Sequence, residues 1–505
     1  MILKVNGDIN RYYVQTLCMV FFPGATFGEN ETPGVGVPEV SVEVYFDRED
    51  TCIGSATVKL NDKLCSSVAK VPKEEETHIA TRQCIAVGRA MFEAGKELLD
   101  HTPPWGILTG VRPAKIAMKL LKSGLGVNKS KRVLRDEYFL NQQKASLAVS
   151  VANAEAKLVK KVPKNSCSLY ISIPFCPSRC SYCSFVAYTT PKLLSLIDEY
   201  LDAMIYELKQ TVSVIKSLDM TLSTVYIGGG TPTTLDEKQL QKLLSALCEL
   251  VDVSSLAEFT LEAGRPDTIT AEKLAVAKEY GVTRISVNPQ TLNDEILRQI
   301  GRRHTTEDFY RAYDIARASG VKDINVDLIA GLPGDDFKSF SETVDKIIAL
   351  EPTNITVHTF CVKKASDALR NNSEIYSLTG GDASKSVFYS QLQTKFAGYK
   401  PYYMYRQKNT VGNLENVGYS VEGHEGLYNV YMMEEVQSIF AVGAGAVTKL
   451  VDRTVDADNP RIDRLFNPKY PYEYLELMKK RVNQELTESE LFCKSTEFFG
   501  KNTNK

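Results

Sequence analysis

Apolar and polar positions change period twice along this chain. Between residues 11 and 60, β-branched and aromatic residues fall in short runs at Arg11–Phe22, Val42–Asp47 and Ile53–Leu60, which predict strands. A Gly- and Pro-rich stretch from Pro23 to Pro38 reads as a loop. Across Thr77–Leu99 the apolar residues Ile79, Ile85, Ala90, Met91, Ala94 and Leu98 recur at helical spacing. More helices are expected to about Val162, and Lys160–Lys164 reads as a linker.

From Ser168 the pattern becomes a regular alternation. Strands are predicted at Leu169–Ile173, Thr224–Ile227, Phe259–Glu262, Arg284–Val287, Asp323–Ile329 and Ile355–Thr359. Helices are predicted between them at Leu193–Ile215, Asp236–Leu250, Ala271–Tyr280, Asp294–Ile300, Thr306–Ser319 and Phe337–Leu350. Thr234 with Glu237 fits a capping box, and Gly281 and Gly320 stand where helices should stop. Strand–helix units in series imply a parallel sheet with right-handed crossovers, either a partly open barrel or a doubly wound sheet. Both put the ligand site at the carboxyl ends of the strands. After Thr359 the alternation ends. Ser384–Gly398 suits a helix, and the aromatic run Tyr399–Tyr405 suits either a pocket wall or packing. Phe440–Ala446 reads as close backbone packing, and the tail from Lys494 as frayed.

Chemistry-bearing residues follow each strand in turn. Cys176, Cys180 and Cys183 follow the first, Gly228–Gly230 the second, and Glu262 closes the third. Asn288 and Gln290 follow the fourth, Asp327 lies in the fifth, and His358 and Cys361 end the sixth. Three thiolates on one loop can converge on a metal centre. A structural zinc site takes four ligands, and a cubic iron–sulfur cluster usually takes four cysteines, so three would leave one position for an exogenous ligand. A zinc site with a remote fourth ligand, or three buried thiols, fits the spacing too. The glycines lack the Gly-Lys-Ser/Thr of a phosphate loop, but would let a flat or zwitterionic ligand approach the backbone. Glu262 is placed to hold an ammonium, Gln290 and Asp327 to bind ribose hydroxyls, and Arg302-Arg-His304 to contact a carboxylate or phosphate. His424 is a further candidate ligand or acid.

Bulk composition narrows the class. At 505 residues, two or three domains are expected. A net charge of −2 gives no reason to expect nucleic acid as a partner, and the local basic run from Arg112 to Arg135 reads as a solvated helix face. The 11 cysteines are scattered apart from the triplet, so no disulfide framework is expected and a reducing compartment is favoured. No signal pattern opens the sequence, and the apolar stretch Tyr12–Phe22 is too short to span a bilayer. The expectation is a cytoplasmic protein with no membrane span.

The combination resembles the radical S-adenosylmethionine (SAM) superfamily. More closely, it resembles the oxygen-independent coproporphyrinogen III oxidase family, in its longer coproporphyrinogen dehydrogenase branch. The likeness is densest from Tyr170 to Cys361 and extends to Trp105–Pro113, Pro401–Asn409 and Gly412–Tyr419. It implies an α/β fold: a partial (β/α)6 radical-SAM barrel over 166–380, an N-terminal α+β domain over 1–165 and a C-terminal α/β extension carrying a substrate pocket over 381–505. By motif, Cys176, Cys180 and Cys183 would hold a [4Fe–4S] cluster, and Tyr170, Gly229 and Glu262 would contact SAM. Tyr182, Gly230, Thr231, Gln290, Arg302 and Asp327 match a neighbouring SAM site, and Cys361 joins them by its spacing from Asp327. The implied reaction converts two propionates of coproporphyrinogen III to vinyls with loss of carbon dioxide, giving protoporphyrinogen IX and drawing on a low-potential electron donor. Arg302, Arg303, Arg406 and Lys408 would suit the propionate carboxylates. One position departs from the best-known members. Where they carry a further cysteine two residues after the third, this chain has Phe185. Cys183-Ser-Phe185 also resembles the heme-chaperone branch, which makes a heme-binding protein, or another radical SAM enzyme of tetrapyrroles, the alternative.

Overall fold

The described residues form two sheets, one of four strands and one of eleven. The computed structural model describes residues 1–505 except 29–33, 74–78, 111, 186, 362–379, 409, 483 and 501–505. In the first sheet, β1 (Ile2–Asn6) pairs parallel with β2 (Glu39–Phe46), which continues antiparallel through β3 (Cys52–Leu60) to β4 (Lys63–Val71). Helices α1 (Arg11–Phe21) and α2 (Ile79–Leu99) share a core with this sheet. Only Gly fits at position 54, because a Cβ there would stand 2.5 Å from the Ala86 backbone of α2. The strand expected at Arg11–Phe22 is therefore a helix. Asn10 caps it by accepting from the Tyr12 and Tyr13 amides, and Val14, Leu17, Cys18 and Phe21 bury one face. That i, i+3, i+4, i+7 spacing overrides the β-propensity of its Tyr and Val residues. Residues 77 and 78 of the expected second helix lie outside the described residues, as do 29–33 of the expected loop.

Helices α3 (Ala114–Lys122), α4 (Val127–Asp136) and α5 (Gln142–Val159) lead into the large sheet. Its parallel centre is β5 (Ser166–Ile173), then α6 (Pro191–Leu194), α7 (Ile197–Ser217), β6 (Thr221–Gly229), α8 (Glu237–Leu250), β7 (Glu258–Leu261), α9 (Ala271–Glu279), β8 (Arg284–Ser286), α10 (Asp294–Gln299), α11 (Thr306–Ala318), β9 (Asp323–Ala330), α12 (Phe337–Ala349) and β10 (Asn354–Thr359). Strands β5 to β10 pair in sequence order, all parallel, and do not close on themselves. The fold is a mixed α/β structure with a partial barrel. The capping box of α8 is Asp236 with Gln239, not Thr234 with Glu237, because Thr234 turns its hydroxyl to the Phe175 carbonyl. Gly281 and Gly320 do end helices, at φ of +84° and +68°.

The C-terminal residues extend both ends of this sheet rather than forming a separate layer. After α13 (Gly381–Phe396), β11 (Lys400–Arg406) and β12 (Glu415–Ser420) add antiparallel strands beyond β10. Then α14 (Leu427–Met433) precedes β13 (Ser438–Val442), which joins β5 in parallel, followed by β14 (Val447–Asp452) and β15 (Arg461–Phe466). Gly443, at φ +97°, lets the chain pass close to Ser172, where a Cβ would meet its carbonyl at 2.6 Å. Helices α15 (Pro471–Arg481) and α16 (Glu490–Phe498) finish the described chain. The tail expected to fray from Lys494 is helical as far as Phe498, held by the Ser489 cap and a Lys494–Glu490 pair. No helix among the described residues is long and apolar enough to cross a membrane.

One buried charge pair joins the N-terminal third to the large sheet. Lys144 Nζ lies 2.6 Å from Glu415 Oε1, with the two side chains 5% and 0% exposed. Trp105 Nε1 donates to Glu415 Oε2 at 2.8 Å, and the Arg406 guanidinium lies 5.5 Å from the centre of the indole ring. Burial pushes the Glu415 carboxyl up, but Lys144 and its hydrogen bonds hold it below the usual range. Such a depressed acid contributes stability above its unfolded pKa and loses it as pH falls. Lys144→Met strands the carboxylate and is expected to cost about 3–5 kcal/mol, read as a lower urea midpoint. The deficit should narrow as pH is lowered, because protonation neutralises Glu415.

Candidate active site

The cysteine loop is tied down at both ends and along its length. Phe175 bridges Tyr188, and Cys176 N–H donates to the Tyr188 carbonyl at 3.1 Å, which closes the loop. Ser181 N–H donates to Ile300 O at 3.0 Å and Ser178 Oγ to Gly301 O at 3.1 Å, so the loop leans on the turn after α10. Arg265, buried beyond β7, donates to Ser178 O and Oγ at 3.3 and 3.0 Å and to Cys180 Sγ at 3.6 Å. Asp267 fixes that guanidinium through two contacts at 3.0 and 3.1 Å. Cys176 Sγ lies 3.2 Å from Thr231 Oγ1, and Cys183 N–H donates to Cys180 O at 3.1 Å. Burial pushes the Cys176 thiol up to about 11 and raises that of Cys183 as well.

Beyond the loop, the strand ends present the polar residues in order. Glu262 accepts from the Tyr226 hydroxyl, and burial raises its carboxyl to about 7 against that hydrogen bond and the Gly229 amide. Asp327 is treated differently. Burial works against its charge, but His358, Asn325 and Thr356 hold it below the usual carboxylate range, and Asn288 Nδ2 and Asn325 Nδ2 lie 2.9 and 2.7 Å from its oxygens. Gln290 sits at φ +72° with its amide oxygen buried and unpartnered. Strain and an orphaned acceptor at one residue mark a position shaped for a ligand. Arg302 donates to the Tyr182 hydroxyl and to the carbonyls of Gly264 and Asn288. The Gly230 and Thr231 amides are taken by the Ile173 and Phe175 carbonyls at 2.8 Å each, so these residues do not offer N–H groups to a ligand. The glycines instead permit close packing: a Cβ at Gly228 would stand 2.8 Å from Glu262, and one at Gly230 would stand 2.6 Å from the Phe175 carbonyl.

Several placements differ from expectation. Arg406 is buried against Leu108 O and Asn413 O, Lys408 lies over the Tyr12 ring at 3.9 Å, and Arg303 is exposed on the turn after α10. None of these three faces Asp327 or Glu262. Cys361 reaches the barrel mouth but donates to the Lys408 carbonyl at 3.0 Å. His424 pairs with Asp323 at the opposite end of β9, in a network with Arg284 and Glu258. Glu258 there accepts from the Leu427 and Tyr428 amides at 2.8 and 3.1 Å, which feeds α14 into the barrel. Tyr428 consequently stacks on Tyr226 with centroids 4.6 Å apart, and Tyr170 lies 6.0 Å from Tyr226 and 6.3 Å from Tyr428. Neither Tyr428 nor Arg265 is marked by a local motif. Tyr226 faces the same site because its register partner on β5 is Tyr170.

The family model of the radical SAM superfamily matches residues 170–347. The oxygen-independent coproporphyrinogen-III oxidase-like protein HemZ of Bacillus subtilis is 39% identical over 400 residues, covering 78% of this chain and 79% of that protein. The chain belongs to the oxygen-independent coproporphyrinogen III oxidase family of radical SAM proteins. The heme chaperone HemW of Bacillus subtilis is 39% identical over 197 residues, 39% of this chain and 51% of that one. The solved coproporphyrinogen III oxidase HemN of Escherichia coli aligns with a TM-score of 0.48 at 20% identity, over 65% of this chain and 72% of that one.

Membership of the radical SAM superfamily implies a [4Fe–4S] cluster and SAM, and the residues fit both. The ligand set on the loop is purely thiol, with a guanidinium rather than a carboxylate beside it. Buried thiols resist ionisation, and coordination is what removes that resistance. The unpartnered oxygen of Gln290 suits a polar ligand along the strand edge. Cys180→Ala is expected to abolish iron retention after anaerobic reconstitution, while Phe185→Ser, at a residue 66% exposed, keeps it. Iron per chain and visible absorption measure both.

Proposed function

We propose that this protein is a radical SAM enzyme that oxidatively decarboxylates two propionates of coproporphyrinogen III to vinyl groups, giving protoporphyrinogen IX. The observation that carries the reading is the gathering, on one strand edge, of the cysteine loop, Glu262, Gln290 and Asp327 beside the tyrosine stack. When bound, the cluster and SAM supply one-electron cleavage chemistry that ends in hydrogen abstraction from an unactivated carbon. In this reading Cys176, Cys180 and Cys183 hold the iron, and Arg265 fixes the loop by donating to Cys180. Tyr170 offers an aromatic face, and Glu262 receives the SAM ammonium. Gln290 and Asp327, with Tyr182 and Arg302 behind them, accept from the hydroxyls of a neighbouring molecule. The tyrosine stack keeps that space dry, which limits side reactions of a reactive centre.

Glu262 makes the reading sensitive to pH. A cation is held by its carboxylate and not by its acid, so SAM affinity should fall about tenfold per unit as pH drops below 7. Glu262→Gln should bind weakly and without that slope. Anaerobic calorimetry across the neutral range reads both.

A second reading, a heme-binding chaperone, is supported by Phe185 in the cysteine loop and by the structural engagement of Arg406 and Lys408. Incubation of the reconstituted protein with SAM, a reductant and coproporphyrinogen III separates the two. Protoporphyrinogen with two equivalents of carbon dioxide, or any SAM-dependent vinyl product, supports the enzyme. Stoichiometric heme binding with no turnover of coproporphyrinogen supports the chaperone.

A further inference from the structure

Pro177, Ser178 and Arg179 join two of the three cysteines, and their outer side forms one wall of a cleft of about 770 Å³. The other wall is Arg298 and the turn from Gly301 to Thr305. Tyr170, Glu262, Gln290, Asp327 and His358 do not line it; Arg302 is shared with the strand-edge site, but its guanidinium turns inward to Tyr182, Gly264 and Asn288.

Its charge is one-sided. Arg179 and Arg303 are exposed and have no carboxylate partner among the described residues. Arg298 adds a third guanidinium, paired only with Glu295 on its own helix. The acid in the lining, Asp294, is occupied by the Thr306 amide and hydroxyl at 2.7 and 2.8 Å. His304 is 3% exposed and both of its ring nitrogens lack a partner, so the wall also keeps an unused polar group. On a chain whose net charge is −2, this local excess of cations is not a reflection of overall composition.

We propose that this cleft docks an acidic protein that delivers single electrons to the iron held by Cys176, Cys180 and Cys183. The proposal rests on the radical SAM reading and names the partner surface for it. Electrons must arrive from outside, because the inner side of the loop faces the strand-edge site. The cleft wall is the peptide that connects two ligands, which makes it the shortest covalent approach to the iron. In the transfer the donor loses one electron and the cluster gains one, with no atom or proton exchanged. Opposed charges orient such encounters and accelerate them by 10 to 10³, an effect that salt removes.

The test uses the full-length reconstituted protein and the hydroquinone of a flavodoxin, an acidic one-electron carrier, with cluster bleaching followed by anaerobic stopped flow. Wild type should be reduced at a rate that falls steeply with salt. Arg298→Glu with Arg303→Glu should slow that step about tenfold or more at low salt, with iron content and photoreduction by uncharged deazariboflavin unchanged. Arg179→Glu, on the loop itself, should act in the same direction. Equal flavodoxin rates in the variants, or a salt-independent wild-type rate, would overturn the proposal. So would saturable binding of inorganic phosphate that the same substitutions abolish, since it would assign the cleft to a small anion. If deazariboflavin cannot reduce the wild-type protein, the radical SAM reading itself falls.

Discussion

Strands β5 to β10 run parallel in sequence order, and the geometry of the site depends on that constraint. A parallel strand can be reached only by a crossover, so each strand ends on the same edge and each following loop emerges there. The cysteine loop, Gly228–Gly230, Glu262, Gln290, Asp327 and His358 need no contact in sequence to become neighbours. The loop is then fastened to its neighbours' ends, to Thr231 after β6, to Arg265 after β7 and to Ile300 and Gly301 after α10. Its shape is a property of the sheet edge more than of its own residues.

The same edge gives two carboxyl groups opposite behaviour. Glu262 has a tyrosine hydroxyl and one amide against strong desolvation, and its carboxyl rises to about 7. Asp327 is ringed by two asparagine amides and His358, and its charge survives burial. Pairs whose surroundings separate their protonation states divide chemical roles between them. Here the division separates a group that an arriving cation would ionise from one already ionised and oriented.

Much of this edge was legible because it is written in local periods. Strand–helix alternation and the residue types after each strand are readable within a few positions, and the six parallel strands stand where the pattern placed them. What was not legible is long-range. Trp105 and Glu415 are 310 positions apart, and nothing local tells either about the other. Tyr428 enters the barrel because Glu258 captures the start of its helix, and β13 reads as a glycine-rich packing segment until β5 is beside it. Arg265 belongs to a turn whose sequence, Arg-Pro-Asp, announces only a short helix. At α1 the local signal was present but divided, since its residue types favour a strand and its spacing a helix.

The substrate question reduces to where the cations go. A porphyrinogen bearing propionates needs guanidinium or ammonium groups in reach of its carboxylates. Four were readable in the sequence, and the fold spends three elsewhere. Arg406 supports Trp105, Lys408 covers Tyr12, and Arg303 turns to the outer cleft. Arg302 remains at the strand edge, with its donors already directed at Tyr182, Gly264 and Asn288. What the described residues present instead is aromatic: Tyr170, Tyr226 and Tyr428 in a stack, and Tyr405 hydrogen-bonded to His358 at 3.2 Å. Aromatic faces suit the flat, conjugated ring of heme better than a porphyrinogen, whose methylene bridges pucker it, whereas charge recognises the propionates. Carboxylate recognition is therefore the point on which decarboxylation and heme carriage diverge.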